Sequence, residues 1–296
     1  MAHTTRDSVF FVDGDGLMGR FYLPKGAIRP PVVVMAHGFG GEMDMGLVPF
    51  AEKFLRKGLA VFMFDYRGFG ESAGEPRNLV HPFRHLRDWK AALAHVRASD
   101  LVDSSRLGIW GTSFAGGHVI VTAAADAGVK AVVSQIPFVD GLATAGDRGL
   151  LFSIRATAAS LLDFASQAIT GSPLTVPVAS RPGKVAALSM PGNYEAVLDL
   201  IPAARRDRWE NRCPARVFLL TALYRPIRHA AKVKCPALVV LADEDNLIPK
   251  DLVEKAASLM PKGRLVRFPV DHFAPYTGET FKKVAAVEAK FFAENL

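Results

Sequence analysis

The stretch Arg106–Gly117, RLGIWGTSFAGG, decides the fold. Its first half, Arg106–Trp110, is rich in β-forming residues, and a helix is expected from about Phe114. Between them lies Gly111-Thr112-Ser113-Phe114-Ala115, where small residues flank a serine. A sharp strand-to-helix turn of this kind raises a hydroxyl above the sheet edge, and the helix N-terminus beneath it favours developing negative charge. The stretch therefore predicts Ser113 as a candidate nucleophile. The usual pattern is G-x-S-x-G, and Ala115 departs from it.

Strands and helices alternate on both sides of this unit. Short apolar runs predict buried strands, and amphipathic runs between them predict helices. Such alternation is typical of βαβ units, so the predicted fold class is α/β with a mostly parallel sheet flanked by helices. Asp13-Gly14-Asp15-Gly16 predicts a hairpin near the N-terminus. The predicted strands are Ser8–Val12, Leu17–Leu23, Pro31–Ala36, Leu59–Phe64, Arg106–Trp110, Lys130–Ile136, Pro236–Ala242 and Arg264–Phe268, and the helices include Leu47–Lys57, Phe83–Ser99 and Phe281–Asn295.

The alternation stops between Ile136 and Pro236. We interpret residues 138–234 as a helical cap inserted between two core strands, which leaves 1–137 and 235–296 as the core. This insertion holds 13 Lys and Arg against 7 Asp and Glu, whereas the whole chain has a net charge of +7. Helices are expected at Leu150–Ile169 and Tyr194–Arg205. Apolar positions in the insertion are expected to bury against the core or line an acyl pocket, namely Leu150, Leu151, Phe152, Leu161, Leu162 and Phe164. Arginines spaced for one helix face would favour an anionic substrate if they faced that pocket, namely Arg205, Arg208 and Arg212.

Composition narrows the class of protein. The chain has 296 residues, of which 50% are hydrophobic and 22% charged, as in an ordinary globular protein. Two cysteines, Cys213 and Cys235, do not make a disulfide scaffold. The N-terminus resembles no secretory signal, and apolar runs of six or seven residues fall short of the roughly 20 that a membrane span needs. We therefore expect a cytoplasmic protein with no membrane or nucleic-acid partner. Whether it forms a homodimer stays open.

A glycine-rich loop, His37–Gly41, follows the strand Pro31–Ala36. Backbone N–H groups of such a loop lie at the carboxyl end of the sheet, where they can help to form an oxyanion hole. We expect the N–H of Phe39 to be one donor and the N–H of Phe114 the other. His37 is expected to be structural.

Two further loops supply a candidate acid and base. Asp243-Glu244-Asp245-Asn246 follows the strand Pro236–Ala242, and Asp245 is favoured because the strand has ended there. Asp243 is the main rival, and Asp140 a more distant one. His272 comes just after the last predicted strand. A buried acid orients an imidazole that acts as general base toward a serine, and this order along the chain is Ser, Asp, His.

Taken together, HGFGG, DYRGFGES, GTSFAGG, DEDNLIP and DHF resemble the α/β-hydrolase superfamily over nearly the whole core. Within it the chain is similar to the serine aminopeptidase-like, dienelactone-hydrolase-like and X-Pro-dipeptidyl-peptidase-like branches. The resemblance implies Ser113 as nucleophile, Asp245 as acid, His272 as base, and an oxyanion hole at Phe39 and Phe114. It also implies a cap at the insertion. In DYRGFG, Asp65 and Arg67 are expected to form a structural ion pair.

These expectations combine into a serine hydrolase that cleaves a small or medium acyl ester through an acyl-enzyme, with no cofactor and no metal. Three alternatives stay open. An acyl-CoA or carrier-bound thioesterase would use the basic insertion to bind phosphates. A peptidase is weaker, because the insertion shows no acidic cluster for a substrate amino terminus. A non-catalytic ligand-binding protein on the same fold is the alternative from a different class.

Overall fold

The computed structural model describes residues 3–296 and shows an eight-stranded sheet flanked by helices. The spatial order of the strands is β1-β2-β4-β3-β5-β6-β9-β10, and the six from β4 to β10 in this order run parallel. The predicted α/β class with a mostly parallel sheet is confirmed. The strands are β1 His3–Val12, β2 Asp15–Pro24, β3 Pro31–Ala36, β4 Ala60–Phe64, β5 Asp103–Thr112, β6 Ala131–Gln135, β7 Thr175–Val176, β8 Cys213–Pro214, β9 Ala237–Ala242 and β10 Gly263–Phe268.

Helices cover both faces of the sheet. Apolar side chains from α2, α3 and α8 pack on one face, and those from α1 and α9 pack on the other. Because both faces are covered, the central strands are buried throughout, which explains their continuous apolar sequences. The helices are α1 Val48–Leu55, α2 Pro82–Arg97, α3 Phe114–Ala125, α4 Gly141–Asp147, α5 Leu150–Thr170, α6 Asn193–Leu200, α7 Val217–Ala222, α8 Lys250–Leu259 and α9 Gly278–Asn295. Short 3₁₀ helices are Ala203–Arg205, Pro226–Lys232 and Ala274–Tyr276.

The N-terminal hairpin is antiparallel, and Val12 pairs with Asp15 across the two-residue turn Asp13-Gly14. Both turn residues have positive φ, 53° and 92°, which is the conformation that this dipeptide favours. The hairpin was predicted from that dipeptide and is confirmed.

The insertion leaves the sheet after β6 and returns at β9. It contains α4 to α7, two 3₁₀ helices and a small antiparallel ribbon of β7 and β8. The helix expected at Tyr194–Arg205 is shorter than predicted, because α6 ends at Leu200 and the chain turns at Pro202 before a single 3₁₀ turn. Across residues 3–296, the helices are too short or too polar to cross a bilayer.

Candidate active site

Ser113 lies in the tight turn between β5 and α3. Its φ of 54° and ψ of −116° are unusual for a residue with a side chain, and such conformations cost roughly 1–3 kcal/mol. Hydrogen bonds hold the strained peptide on both sides. The Ser113 N–H donates to the Gln135 carbonyl at 2.9 Å, and the Phe138 N–H donates to the Ser113 carbonyl at 2.9 Å. The backbone around the turn therefore fixes the position of the hydroxyl.

In the five-residue turn 111–115, glycine is needed at the first position, Gly111, and not at the fifth, Ala115. A Cβ on Gly111 would lie 2.2 Å from the Ala115 carbonyl oxygen, which is closer than atoms can approach. Ala115 itself is fully buried and its methyl group is accommodated. Gly116, one residue further on, allows α3 to approach β6, since its Cβ would lie 2.8 Å from Cα of Pro137. The departure at Ala115 is thus compatible with the turn.

We predict that Gly111→Ala lowers the free energy of unfolding by about 3 kcal/mol, the upper end for overpacking a rigid site. The obstacle is a backbone carbonyl, which cannot move aside as a flexible side chain could. Gly146→Ala is the matched control, because its Cβ would have nothing within 4 Å inside α4. Alanine in a helix should raise stability there by roughly 0.5–1 kcal/mol. Chemical denaturation measures both variants, and equal stabilities would contradict the explanation of the turn.

The structure brings Ser113, His272 and Asp245 together in one hydrogen-bonded chain. His272 Nε2 lies 3.0 Å from Ser113 Oγ, and His272 Nδ1 lies 2.6 Å from Asp245 Oδ2. A carboxylate only accepts, so Nδ1 carries the proton and Nε2 is left free to accept from the serine. The side chains of His272 and Asp245 are each only 3% exposed. This is the geometry that a general base and its orienting acid require.

Asp245 is held in place by its own loop. Its Oδ1 accepts the N–H groups of Leu247 at 2.8 Å and Ile248 at 3.0 Å, so Oδ2 is free to face His272. The two rival acids have other partners. Asp243 pairs with Arg267 on β10, and Asp140 caps α4 and pairs with Arg225 at 2.7 Å.

The expected oxyanion donors lie beside Ser113. Phe39 and Phe114 line the same cavity as Ser113, with their ring centroids 5.6 Å apart. The Phe114 N–H is the first amide of α3 and has no carbonyl within its own helix to bind. Within residues 3–296, the Phe39 amide also donates to no backbone carbonyl. Both amides are therefore available to a ligand.

The insertion holds the glycine-rich loop from outside. Trp209 Nε1 donates to the Gly40 carbonyl at 3.0 Å, and a Cβ on Gly40 would lie 2.6 Å from Val178. Sequence reasoning missed this contact, because nothing in the sequence around Trp209 or Val178 indicates a partner so far along the chain.

His37 and Asp65 are buried behind the loop. His37 Nδ1 donates to the Gly38 carbonyl at 3.0 Å, and burial lowers the pKa of its ring to about 4. Burial raises the pKa of Asp65 to about 7. The predicted Asp65–Arg67 pair is wrong: Asp65 accepts the Met43 N–H at 2.7 Å, whereas Arg67 pairs with Asp88 at 2.7 Å and Asp13 at 2.8 Å. Arg67 thus ties the N-terminal hairpin to α2.

A second buried contact links the serine turn to the histidine loop. The Thr112 and Tyr276 hydroxyls lie 2.5 Å apart, and Gln135 Nε2 donates to Thr112 Oγ1 at 2.9 Å. Thr112 precedes Ser113, and Tyr276 lies four residues after His272. The contact therefore fixes the distance between the two loops. Sequence reasoning did not identify Tyr276.

A cavity of about 320 Å³ opens from Ser113 and His272 into the insertion. This volume is at the small end of the roughly 300–1,000 Å³ of ligand pockets. Its walls are mostly apolar. The core contributes Phe39 and Phe114. The insertion contributes Phe138 and side chains from α4, α5 and α7, including Phe152, Val217 and Phe218.

Three arginines were expected to share one helix face, namely Arg205, Arg208 and Arg212. They do not lie on one helix and do not line this cavity. The 3₁₀ turn ends at Arg205, which pairs with Asp44 and Glu71, each at 2.9 Å. Arg212 pairs with Glu210, and Arg208 is exposed. The arginine that does line the cavity is Arg148, directly after α4.

The expected apolar face of α5 is also different from the prediction. Phe152 lines the cavity, but Leu151, Leu161 and Leu162 are about 60% exposed. The face of α5 that packs inward carries small or polar residues, Ala156, Ser160 and Asp163. No group of three or more His, Cys, Asp or Glu within residues 3–296 has the arrangement of a metal site.

The eight-stranded sheet, its helical layers and the serine turn after β5 define an α/β hydrolase. The chain belongs to the serine aminopeptidase S33 family, whose model matches residues 29–265.

The chain is similar to several known proteins along almost its whole length. It is 36% identical over 270 residues to the quorum-quenching protein AidA of Acinetobacter baumannii, covering 91% of this chain and 88% of that protein. It is 23% identical over 294 residues to a thiohydrolase of Eupenicillium brefeldianum, covering 97% and 93%. The solved structure of DcsB in complex with its substrate analogue superposes with a TM-score of 0.85 at 25% identity and 99% coverage of both chains.

Proposed function

We propose that the protein hydrolyses carboxylic esters of small or medium acyl chain through Ser113, His272 and Asp245. The observation that carries this proposal is the hydrogen-bonded chain from Ser113 Oγ through His272 to Asp245. It lies beside two free backbone amides and at the end of an apolar cavity. These are the parts that acyl transfer to a serine needs.

In the first half of the reaction, His272 Nε2 takes the Ser113 proton as Oγ attacks the ester carbonyl. Negative charge develops on the carbonyl oxygen, and the Phe39 and Phe114 N–H groups would donate to it. Asp245 stabilises the imidazolium across the 2.6 Å contact. The C–O bond of the ester then breaks, and His272 gives the proton to the leaving alcohol.

In the second half, water replaces the alcohol. His272 takes a proton from water, the hydroxide attacks the acyl-enzyme, and the Ser113 oxygen leaves with that proton from His272. The acid is released and the enzyme returns to its starting state. We further propose that the insertion, residues 138–234, acts as a cap, since its residues form most of the cavity wall.

Thioester hydrolysis is the second candidate, and its support is the similarity to a thiohydrolase over nearly the whole chain. The basic insertion no longer supports it, because Arg205 and Arg212 are already paired with carboxylates. Peptidase activity has less support. The acids that line the cavity are Asp147 and Asp245, and Asp245 already binds His272, which leaves one carboxylate for a substrate amino group.

A fluorophosphonate probe, which reacts with an activated serine, separates an enzyme from a binding protein. We expect stoichiometric labelling of the native protein at Ser113 and none in Ser113→Ala, as measured by intact mass and peptide mapping. Unlabelled protein from the same preparation is then tested on matched p-nitrophenyl esters, thioesters, lactones and anilides with acyl chains of two to twelve carbons. If Ser113 is labelled and esters are turned over faster than the other substrates, the proposal is supported. If Ser113 is labelled and only thioesters are turned over, the second candidate is supported. If Ser113 is not labelled, both are overturned.

A further inference from the structure

Among residues 3–296, Arg148 is the one Lys or Arg whose side chain lines the active-site cavity. It directly follows α4 in the insertion. Its Cζ lies 3.7 Å from the centroid of the Phe152 ring, which lines the same cavity. A charged group therefore stands in an otherwise mostly apolar acyl site.

The Arg148 guanidinium has only neutral partners. Nη1 donates to the Ala187 carbonyl at 2.6 Å, and Nη2 donates to the Ala186 carbonyl at 3.2 Å and to the Ser189 hydroxyl. Three of its five N–H groups are used in this way, so the Nε–H and one N–H of Nη1 have no protein acceptor among the described residues.

Other part-buried arginines of the insertion have a carboxylate partner. Arg216 pairs with Asp163 at 2.7 Å, Arg225 with Asp140 at 2.7 Å, and Arg205 with Asp44 at 2.9 Å. Arg148 has none, and burial alone lowers its pKa to about 10, so it stays charged at neutral pH. Withdrawing a charge from water without a counter-charge is costly, and a ligand anion would remove that cost.

The acidic groups of the cavity do not neutralise Arg148. Asp245 faces His272 and two backbone amides, and Asp147, although adjacent in sequence, is exposed and forms no ion pair with Arg148 in the described residues. An anion on the substrate would therefore be attracted to the Arg148 guanidinium and repelled by the exposed Asp147 carboxylate.

We infer that Arg148 binds a carboxylate carried by the acyl chain, so that half-esters of dicarboxylic acids are preferred over esters of simple fatty acids. Guanidinium–carboxylate hydrogen bonds are short and charge-assisted, which suits recognition inside an apolar pocket. This inference rests on the proposed function and adds the chemical class of its substrate.

The test compares p-nitrophenyl esters of five- to eight-carbon acids that end in a carboxylate with the same esters ending in a carboxamide. The two ends have nearly the same shape and differ in charge. We expect kcat/KM of the native protein to be at least tenfold higher for the carboxylate series at low salt. Arg148→Gln should lower this ratio at least tenfold, and Arg148→Lys should give an intermediate ratio. Arg155→Gln, an exposed arginine of α5 outside the cavity, is the control and should leave the ratio unchanged.

A purely structural Arg148, one that only supports the segment 186–189, would give a different result. Arg148→Gln would then lower kcat/KM equally for both series, and this outcome overturns the inference. So does a native protein that shows no preference for the carboxylate.

A binding measurement separates failure of this inference from failure of the proposed function. Calorimetric titration of Ser113→Ala with the unreactive suberate mono-anilide, which carries one carboxylate, needs no turnover. Binding that is lost in Ser113→Ala/Arg148→Gln supports the inference even if no ester is hydrolysed. Hydrolysis of neutral esters without such binding leaves the proposed function intact and overturns the inference.

Discussion

Ser113→Ala is expected to reduce ester turnover by about 10⁶-fold, as removal of a serine nucleophile does in other hydrolases. Without Oγ no acyl-enzyme can form, and the only catalysis left would come from the oxyanion amides and from binding. The free energy of unfolding of Ser113→Ala should stay close to that of the native protein. The residue has a φ of 54° held by backbone hydrogen bonds that involve no side-chain atom, and they remain in the variant.

His272→Ala should cost about as much as Ser113→Ala, and the double variant should be little worse than either, because the two residues act as one unit. Ser258→Ala, on the exposed surface of α8, is the matched control and should keep full turnover. Steady-state kinetics on one activated ester compares the four variants with the native protein. If Ser113→Ala kept near-native turnover, the nucleophile would be another residue. If the two single losses multiplied in the double variant, Ser113 and His272 would act independently.

The parts of this site that could be predicted are those that depend on neighbouring residues in sequence. The turn at Ser113 needs a strand, a Gly at 111 and a following helix, and all three are visible in the sequence. Asp245 lies three residues after β9, where the loop supplies the N–H groups that fix its carboxylate. His272 lies in the loop that follows the last strand, four residues after β10 ends. Parallel strands then bring these loops to one edge of the sheet.

The parts that could not be predicted depend on which distant surface covers a residue. The sequence of α5 has enough leucine for an apolar face, yet polar contacts decide its orientation. Ser160 Oγ donates to the Ala215 carbonyl at 2.7 Å, and Asp163 binds Arg216 at 2.7 Å. These contacts turn Ala156, Ser160 and Asp163 inward and leave the leucines outside. Periodicity shows that a helix has faces, but it does not say which face meets a partner.

The arginines illustrate the same limit. Spacing alone placed Arg205 and Arg212 on one helix, but α6 ends at Leu200, before Pro202, and only a single 3₁₀ turn follows. Carboxylates from the core pair with Arg205, and Glu210 pairs with Arg212. Arg148 has no special sequence context among 13 basic residues of the insertion. It is identified only by the cavity that it lines and the counter-charge that it lacks.

Asp245→Asn is expected to lower turnover by about 10⁴-fold, the second large effect. The same change in a comparable triad costs this much because the histidine adopts the wrong tautomer. The local hydrogen bonds explain why. The Leu247 and Ile248 N–H groups need an acceptor at the Oδ1 position, so the amide oxygen of asparagine should stay there. The amide NH₂ would then face His272 Nδ1 across the present 2.6 Å contact.

A donor at that position forces Nδ1 to accept, so the ring proton moves to Nε2, and Nε2 can no longer take the Ser113 proton. Asp243→Asn is the matched control: its carboxylate faces Arg267 at the protein surface, and turnover should fall less than threefold. Kinetics and the rate of fluorophosphonate labelling should fall together in Asp245→Asn, while the unfolding midpoint stays near the native value. Near-native turnover of Asp245→Asn, with loss of activity in Asp243→Asn or Asp140→Asn instead, would move the acid to one of those residues.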